Sequence, residues 1–267
     1  MIGAIIGDIA GSRFERYNRK SKKFEMFHDR CRPTDDSIMS LAVAQAILDC
    51  DGNYDELSDR AIANMQKLGR KYKHAGYGRA FKNWLFEDDP QPYNSYGNGS
   101  AMRISPCGFA ASSLEEAKTL SALVTQVTHN HPEGMKGAEA VAVAVYLAKA
   151  GHTKDEIRQH IHNNYYDIDF KIDEIRPHYT FDVSCQGSVP QALEAFFEST
   201  GFEDAIRTAI SVGGDSDTIA AITGSVAEAY YGVPQGMIDS AMGYLDSCEK
   251  EILRRFEEKY PVRVSDQ

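Results

Sequence analysis

No apolar run in this 267-residue chain reaches the roughly 18–20 residues that a membrane-spanning helix needs. The stretch Met1 to Gly11 is apolar but short, carries Asp8 and has no basic residue ahead of it, so it does not read as a secretory leader. The expectation is a cytoplasmic protein. Cysteine is sparse: Cys31, Cys50, Cys107, Cys185 and Cys248 are odd in number, scattered and never in a CxxC pair. That spacing offers neither a disulfide framework nor a structural zinc site. Positive charge is in deficit, with 29 Lys and Arg against 39 Asp and Glu and a net charge of −10. A non-specific nucleic-acid binder shows the opposite balance, so nucleic acid is an unexpected partner. An acid excess favours cation binding wherever carboxylates cluster, and it leaves any anionic ligand dependent on local donors. Strand signals are also scarce, and only His178 to Ser184 alternates, weakly. No low-complexity linker, fixed-period repeat or domain boundary is visible, so one domain spanning residues 1–267 is expected.

What is present is helical periodicity. The apolar fraction of 42% and charged fraction of 25% are ordinary for a globular chain long enough to bury a sizeable core. Ile38, Leu41, Ala42, Gln45 and Leu48 fall in threes and fours and predict an amphipathic helix over Ser37–Leu48. The same spacing predicts helices over Asp55–Lys73, Leu114–Val127, Pro132–Ala150, Lys154–His162, Val189–Ser199, Phe202–Ser211, Thr218–Tyr231 and Pro234–Glu257. Ser113 and Thr153 stand where N-caps belong. Ser188 reads as a cap before Val189, with Pro190 in the first turn. Gly3, Gly7 and Gly11 would form one smooth stripe on a helix and permit tight packing. Neither a phosphate loop nor a dinucleotide fingerprint is complete in that stretch. The long loops Ser12–Pro33, Glu87–Phe109 and Phe170–Gly187 are the candidates for function.

Two acidic clusters carry the chemistry. Thr34-Asp35-Asp36-Ser37 precedes one helix, and Asp215-Ser216-Asp217-Thr218 follows Gly213-Gly214 and precedes another. A helix cap needs one side-chain oxygen. Each cluster offers two carboxylates and hydroxyls besides. Adjacent carboxylates repel unless something positive lies between them, and a divalent cation relieves this far better than a helix dipole. All the donors are hard oxygens, with neither His nor Cys, which selects Mg²⁺ or Mn²⁺ over Zn²⁺. The glycine pair lets the backbone turn sharply beside the second cluster. Plain capping is the competing reading. Glu15 opens the first long loop and, alone, reads as a solvated side chain.

The segment Tyr96-Gly97-Asn98-Gly99-Ser100-Ala101-Met102-Arg103 is a Gly-rich loop whose N–H groups suit an anion such as a pyrophosphate, or an ordinary turn. His129 and His131 lack the further ligands of a zinc set and suit hydrogen bonding to a substrate or the backbone. No nucleophile elbow supports a serine triad.

Taken in order, Gly7-Asp8-x-x-Gly11-Ser12-x-x-Glu15, Thr34-Asp35-Asp36-Ser37, Gly97 to Arg103, Thr128-His129-x-His131, Ser188-Val189-Pro190 and Gly213 to Thr218 resemble the ADP-ribosylglycohydrolase family over about residues 1–232. The resemblance implies an all-α fold, a compact orthogonal multi-helix bundle with a dimetal cleft. It implies two Mg²⁺ (or Mn²⁺) ions held by Thr34, Asp35, Asp36, Asp215, Asp217 and Thr218. It makes Glu15 the loop carboxylate near the scissile bond. It gives Ser95, Tyr96, Gly97, Asn98, Gly99, Ser100 and His129 the task of holding ADP-ribose. The implied reaction is hydrolysis of the glycosidic bond of an ADP-ribosylated protein side chain or other ADP-ribosyl conjugate, with ADP-ribose as product. The attacking water is activated at the dimetal centre, with Asp35 or Asp36 as general base. The departures lie in the connecting loops, notably the basic run Arg13, Arg16, Arg19, Lys20, Lys22 and Lys23. Alternatives are a dimetal hydrolase of another small ester or phosphate, or a non-catalytic relative that binds ADP-ribose or serves structurally.

Overall fold

Helix α1 (Ile2–Ser12) is buried along its whole length. A helix that is apolar all round belongs inside a core. The computed structural model, which describes residues 1–261 and the backbone of Val264 and Ser265, packs α1 against a second central helix from the far end of the chain. The chain continues through α2 (Asp35–Cys50), α3 (Leu57–Lys71) and three short helices, α4 (Arg79–Trp84), α5 (Gly99–Met102) and α6 (Ser105–Ala110). Then come α7 (Leu114–Thr125), α8 (Pro132–Lys149), α9 (Lys154–Asn164), α10 (Ile172–Ile175), α11 (Cys185–Glu198), α12 (Phe202–Val212), α13 (Ser216–Tyr231), α14 (Gln235–Met242) and α15 (Ser247–Lys259). Among the described residues the one sheet is a two-residue parallel pairing of Val233–Pro234 with Val264–Ser265. The fold is all-α, and among the described residues no helix is long and apolar enough to cross a membrane.

The central helix opposite α1 is α13, buried from Ser216 to Ala229. Gly3, Gly7 and Gly11 form the contact stripe. A Cβ on Gly7 would collide with the carbonyl of Ala220, one on Gly3 with that of Gly224, and one on Gly11 with Ser216 and Asp217. The small-residue stripe is therefore a packing device, and it draws two backbones together at the base of the site. Helices α8, α11 and α12 enclose α13, while α2 packs on α3 and α15.

The periodic segments form helices within a few residues of expectation. Ser113 caps α7, and Thr153 starts α9 with a reciprocal capping box to Glu156. Two expectations are corrected. Pro234–Glu257 is two helices, because Asp246 accepts from Cys248 and Glu249 and caps a fresh start. The helix expected at Val189 begins at Cys185 with Ser184 as its cap, and Ser188 lies inside it, donating to the Asp182 carbonyl at 3.0 Å. The short helices α5, α6 and α10 fall within segments expected to be loops, since four to six residues cannot display a 3.6-residue period.

Gly7→Val is expected to destabilise the protein by about 2 kcal/mol or more, because a rigid backbone meets the new side chain. Gly236→Ala, with open space at an exposed helical position, is expected to be neutral or stabilising by about 0.5–1 kcal/mol. Urea midpoints of the two variants test this pair, and equal effects would refute the packing role of the stripe.

Candidate active site

The α1–α13 contact brings the two acidic clusters face to face. Asp8, projecting from α1 between Gly7 and Gly11, is fully buried. Its Oδ2 accepts from the backbone N–H of Thr34 at 2.8 Å and of Ser37 at 3.0 Å, and from the Ser37 hydroxyl; its Oδ1 accepts from the Thr34 hydroxyl at 2.6 Å. One carboxylate thus holds the N-terminus of α2. Carboxylate oxygens of Asp8, Asp36 and Asp217 lie within 4.8 Å of one another. The oxygens of Asp8 are already taken by donors, so its task is to orient Thr34 and Ser37, and the free ligand atoms belong to its neighbours.

Those neighbours are poised differently. Thr34 is the N-cap of α2 and accepts from Asp36 N–H at 3.4 Å. Asp36 Oδ2 accepts from the Thr218 hydroxyl at 3.3 Å and lies 3.2 Å from that of Thr34, whose proton goes to Asp8, while its buried Oδ1 has no hydrogen-bond partner. Asp215 occupies the N-cap of α13 without capping it; its Oδ2 accepts instead from Asn98 at 2.7 Å. Gly213 and Gly214 adopt φ +81° and +67° just before it. Asn18 Oδ1 accepts from Gly214 N–H at 2.9 Å, and Lys20 donates to the Val212 carbonyl at 2.6 Å, so the first long loop clamps this turn.

Burial raises the pKa of Asp8, Asp35, Asp36, Asp215 and Asp217. Repulsion from Asp8 adds to the rise at Asp35, which reaches about 7, while the Asn98 bond holds Asp215 at about 6. Repulsion from Asp8, Asp35 and Asp215 adds to the rise at Asp36, and that from Asp36 and Asp215 at Asp217. Elsewhere two of the fold's buried acids are neutralised by cations: Glu228 by the Met1 amino group at 2.7 Å, and Glu194 by Arg158 at 2.6 Å and Lys171 at 3.0 Å. Among the described residues no such ion pair reaches the aspartate cluster. An orphaned buried carboxylate oxygen, unrelieved mutual repulsion and an all-oxygen donor set together fit a hard divalent cation.

A cleft of about 380 Å³ opens over the cluster. Its walls bring together Glu15, Thr34, Asp35, Asp36, Ser95, Gly97, Asn98, Gly99, His129, Asp215, Asp217 and Thr218. Tyr96 and Ser100 stand apart from the wall. Tyr96 is half exposed with its ring edge-on to His131, and Ser100 is buried, donating to the Gly134 carbonyl at 2.9 Å. The weakly alternating segment 178–184 pairs with the Gly-rich loop at one residue, Ser184, through a Gly97–Ser184 bridge. Asn98 N–H donates to the Val183 carbonyl at 2.7 Å and Cys185 N–H to that of Tyr96 at 2.9 Å.

Sequence reasoning missed Asp8, Tyr93 and Arg103. Arg103 is 1% exposed, and among the described residues its guanidinium finds one hydroxyl, Thr128 at 2.6 Å, and the face of Phe81. Burial pushes its pKa down to about 10. Thr128 Oγ1 in turn lies 2.7 Å from His129 Nδ1. Since Thr128 already accepts from Arg103, donating to Nδ1 leaves no hydroxyl proton stranded and puts the proton of His129 on Nε2, beside Gly97 and Gly99. Burial, with Arg103 nearby, lowers the His129 pKa well below its usual value and keeps the ring neutral. A signal for Asp8 was available: an acid inside a Gly-x₃-Gly helix has no solvent to face.

In EDTA, Asp35 and Asp215 retain protons in the folded state, at about 7 and about 6, that they lose near 3.8 when unfolded. Stability of the metal-free protein is therefore expected to fall as pH rises from about 4 to 7. Added Mg²⁺ or Mn²⁺ is expected to reverse the trend, since ligands must be deprotonated to bind. Asp217→Asn is expected to flatten both effects. Thermal unfolding at pH 5 and 7.5 measures this, and a slope in EDTA that Asp217→Asn leaves unchanged would count against a frustrated acid cluster.

Comparison with known proteins gives the chain its relatives. Human ADP-ribosylhydrolase ARH3 is 28% identical over 323 residues, covering 91% of this chain and 88% of that protein. ADP-ribosylarginine hydrolase Tri1 of Pseudomonas putida (strain GB-1) is 30% identical over 232 residues, covering 75% of this chain and 59% of that protein. A solved structure described as an ADP-ribosylglycohydrolase-related protein complex superposes with a TM-score of 0.72 at 23% identity, covering 97% of this chain and 94% of its own, which shows the shared fold. The family model described as ADP-ribosylglycohydrolase matches residues 1–261, and the chain belongs to the ADP-ribosylglycohydrolase family.

Proposed function

We propose that the chain hydrolyses the glycosidic bond of an ADP-ribosylated protein side chain or other ADP-ribosyl conjugate and releases ADP-ribose, within a single domain. The observation that carries this reading is Asp36: buried, facing Thr218, with Oδ1 unpartnered at the base of a cleft whose wall includes the Gly-rich loop. Thr34, Asp35, Asp36, Asp215, Asp217 and Thr218 would hold two Mg²⁺ or Mn²⁺ ions. When bound, such ions supply charge for the crowded carboxylates, anchor vicinal ribose hydroxyls and acidify water.

The remaining work falls to side chains. One carboxylate of the Asp35–Asp36 pair takes the proton of the attacking water as general base. Glu15, half-buried on the cleft wall, stands near the scissile bond, and with the aspartates it stabilises an electron-poor, oxocarbenium-like transition state. The N–H groups of the loop from Ser95 to Ser100 cradle the diphosphate. His129, neutral with its proton on Nε2, donates to the bound ligand. Asn98 ties the loop to Asp215 and so fixes the anomeric carbon relative to the acids.

Calorimetry of ADP-ribose with Mg²⁺ and then with EDTA tests the reading. Binding is expected with the metal and lost without it. Asp36→Asn is expected to lower hydrolysis of an ADP-ribosylated peptide by about 10²–10⁴-fold. His129→Ala is expected mainly to raise KM, by about tenfold for one lost hydrogen bond. No binding in either condition, or release of phosphate in place of ADP-ribose, would move the assignment to another hydrolase.

A further inference from the structure

The chain is acidic, and its arginines are mostly spoken for. Arg13 and Arg19 donate to backbone carbonyls of their own loop, and Arg60, Arg158, Arg176, Arg207 and Arg254 pair with carboxylates. Arg70 donates to Leu85 and Glu87 carbonyls, and Arg255 to Gln45. Among the described residues Arg16, Arg30, Arg32 and Arg79 have neither a side-chain hydrogen bond nor an ion pair. Three of these four stand around one opening. Arg32 and Arg79 line the cleft itself, and Arg16 lines a shallow pocket that shares Glu15 and Phe181 with it. All three are exposed.

The cationic edge continues past Arg32. A pocket of about 290 Å³ shares Arg32 and Ala75 with the cleft and adds Lys73 and His74, both exposed. Its one carboxylate, Glu249, is buried and accepts from Asp246 N–H at 2.6 Å, so it does not quench the edge. Phe181 and Val183, which line the same cleft as Arg32 and Arg79, expose half their surface, and Phe181 also lines the pocket of Arg16. Unpaired guanidinium forks beside apolar side chains suit carboxylates carried on a polypeptide. A long nucleic-acid backbone would also have to approach against the net charge of −10.

We propose that Arg16, Arg32 and Arg79 form a recognition rim for acidic residues flanking the modified side chain, so that the preferred conjugate is an ADP-ribosylated peptide rich in Asp and Glu. This rests on the glycohydrolase reading and adds the substrate class. The rim selects the partner, while the cleft takes the ADP-ribosyl group common to all conjugates.

The test uses two peptides with the same ADP-ribosylated residue, one flanked by Asp and Glu and one by Gln, plus an ADP-ribosylated, 5′-phosphorylated oligonucleotide. The acid-flanked peptide is expected to be cleaved with about tenfold higher kcat/KM than the Gln-flanked one, through KM, and the advantage is expected to shrink in high salt. Each Arg→Gln change is expected to lower that ratio by about twofold, and the R16Q/R32Q/R79Q protein to bring it near one. Binding of the same two peptides without the ADP-ribosyl group to the unaltered protein gives a readout independent of turnover and of the metal site. Equal handling of the two peptides, a preference that survives the triple substitution, or a stronger preference for the oligonucleotide would overturn the rim. Cleavage of both peptides at equal rates would leave the glycohydrolase reading standing. Failure to cleave either peptide or to bind ADP-ribose would remove that reading, and equal peptide binding would then remove the rim as well.

Discussion

The site depends on the approach of two helix backbones. Gly3, Gly7 and Gly11 bring α1 so close to α13 that a single Cβ at Gly7 has no room. This contact joins residues more than two hundred positions apart and sets Asp8 and Asp217 on facing helices. Every further element of the acid cluster is placed from there. Asp8 seizes Thr34 and Ser37, these fix the start of α2, and the start of α2 presents Asp35 and Asp36. A small-residue stripe that looks like simple packing is thus the geometric origin of the site.

The cluster also shows how burial and function are balanced. Glu194 and Glu228 are buried with cationic partners and are structural. Asp8, Asp36, Asp215 and Asp217 are buried with hydroxyls, amides and each other. Crowded acids without a counter-charge destabilise a folded chain, and they persist where something outside the polypeptide completes them. That contrast within one molecule separates a site from a salt bridge more sharply than either acidic motif does alone.

Much of this was legible in the sequence. The Thr34–Ser37 and Asp215–Thr218 clusters exceed what a cap needs, and the structure places them on one cleft wall with Glu15, His129 and the Gly-rich loop. The long helices were legible because three or more turns display the period. The short helices were not, and neither was the break before Asp246, because apolar spacing runs on past a cap when both flanking helices face the core. Asp8 and Arg103 escaped for another reason. A polar residue inside an apolar segment carries no local sign of its partner, and theirs lie 26 and 25 positions away.

Asn98 binds Ser188 and Asp215 with one amide group while its backbone N–H holds Val183. Two stretches of chain that no short-range pattern connects, around Ser188 and Asp215, are therefore gauged against one planar side chain. Such a part works as a ruler: the spacing from the Gly-rich loop to the acids is set by the polypeptide itself. For the proposed ADP-ribosyl ligand, one phosphate fewer or more would leave the loop and the acids out of step.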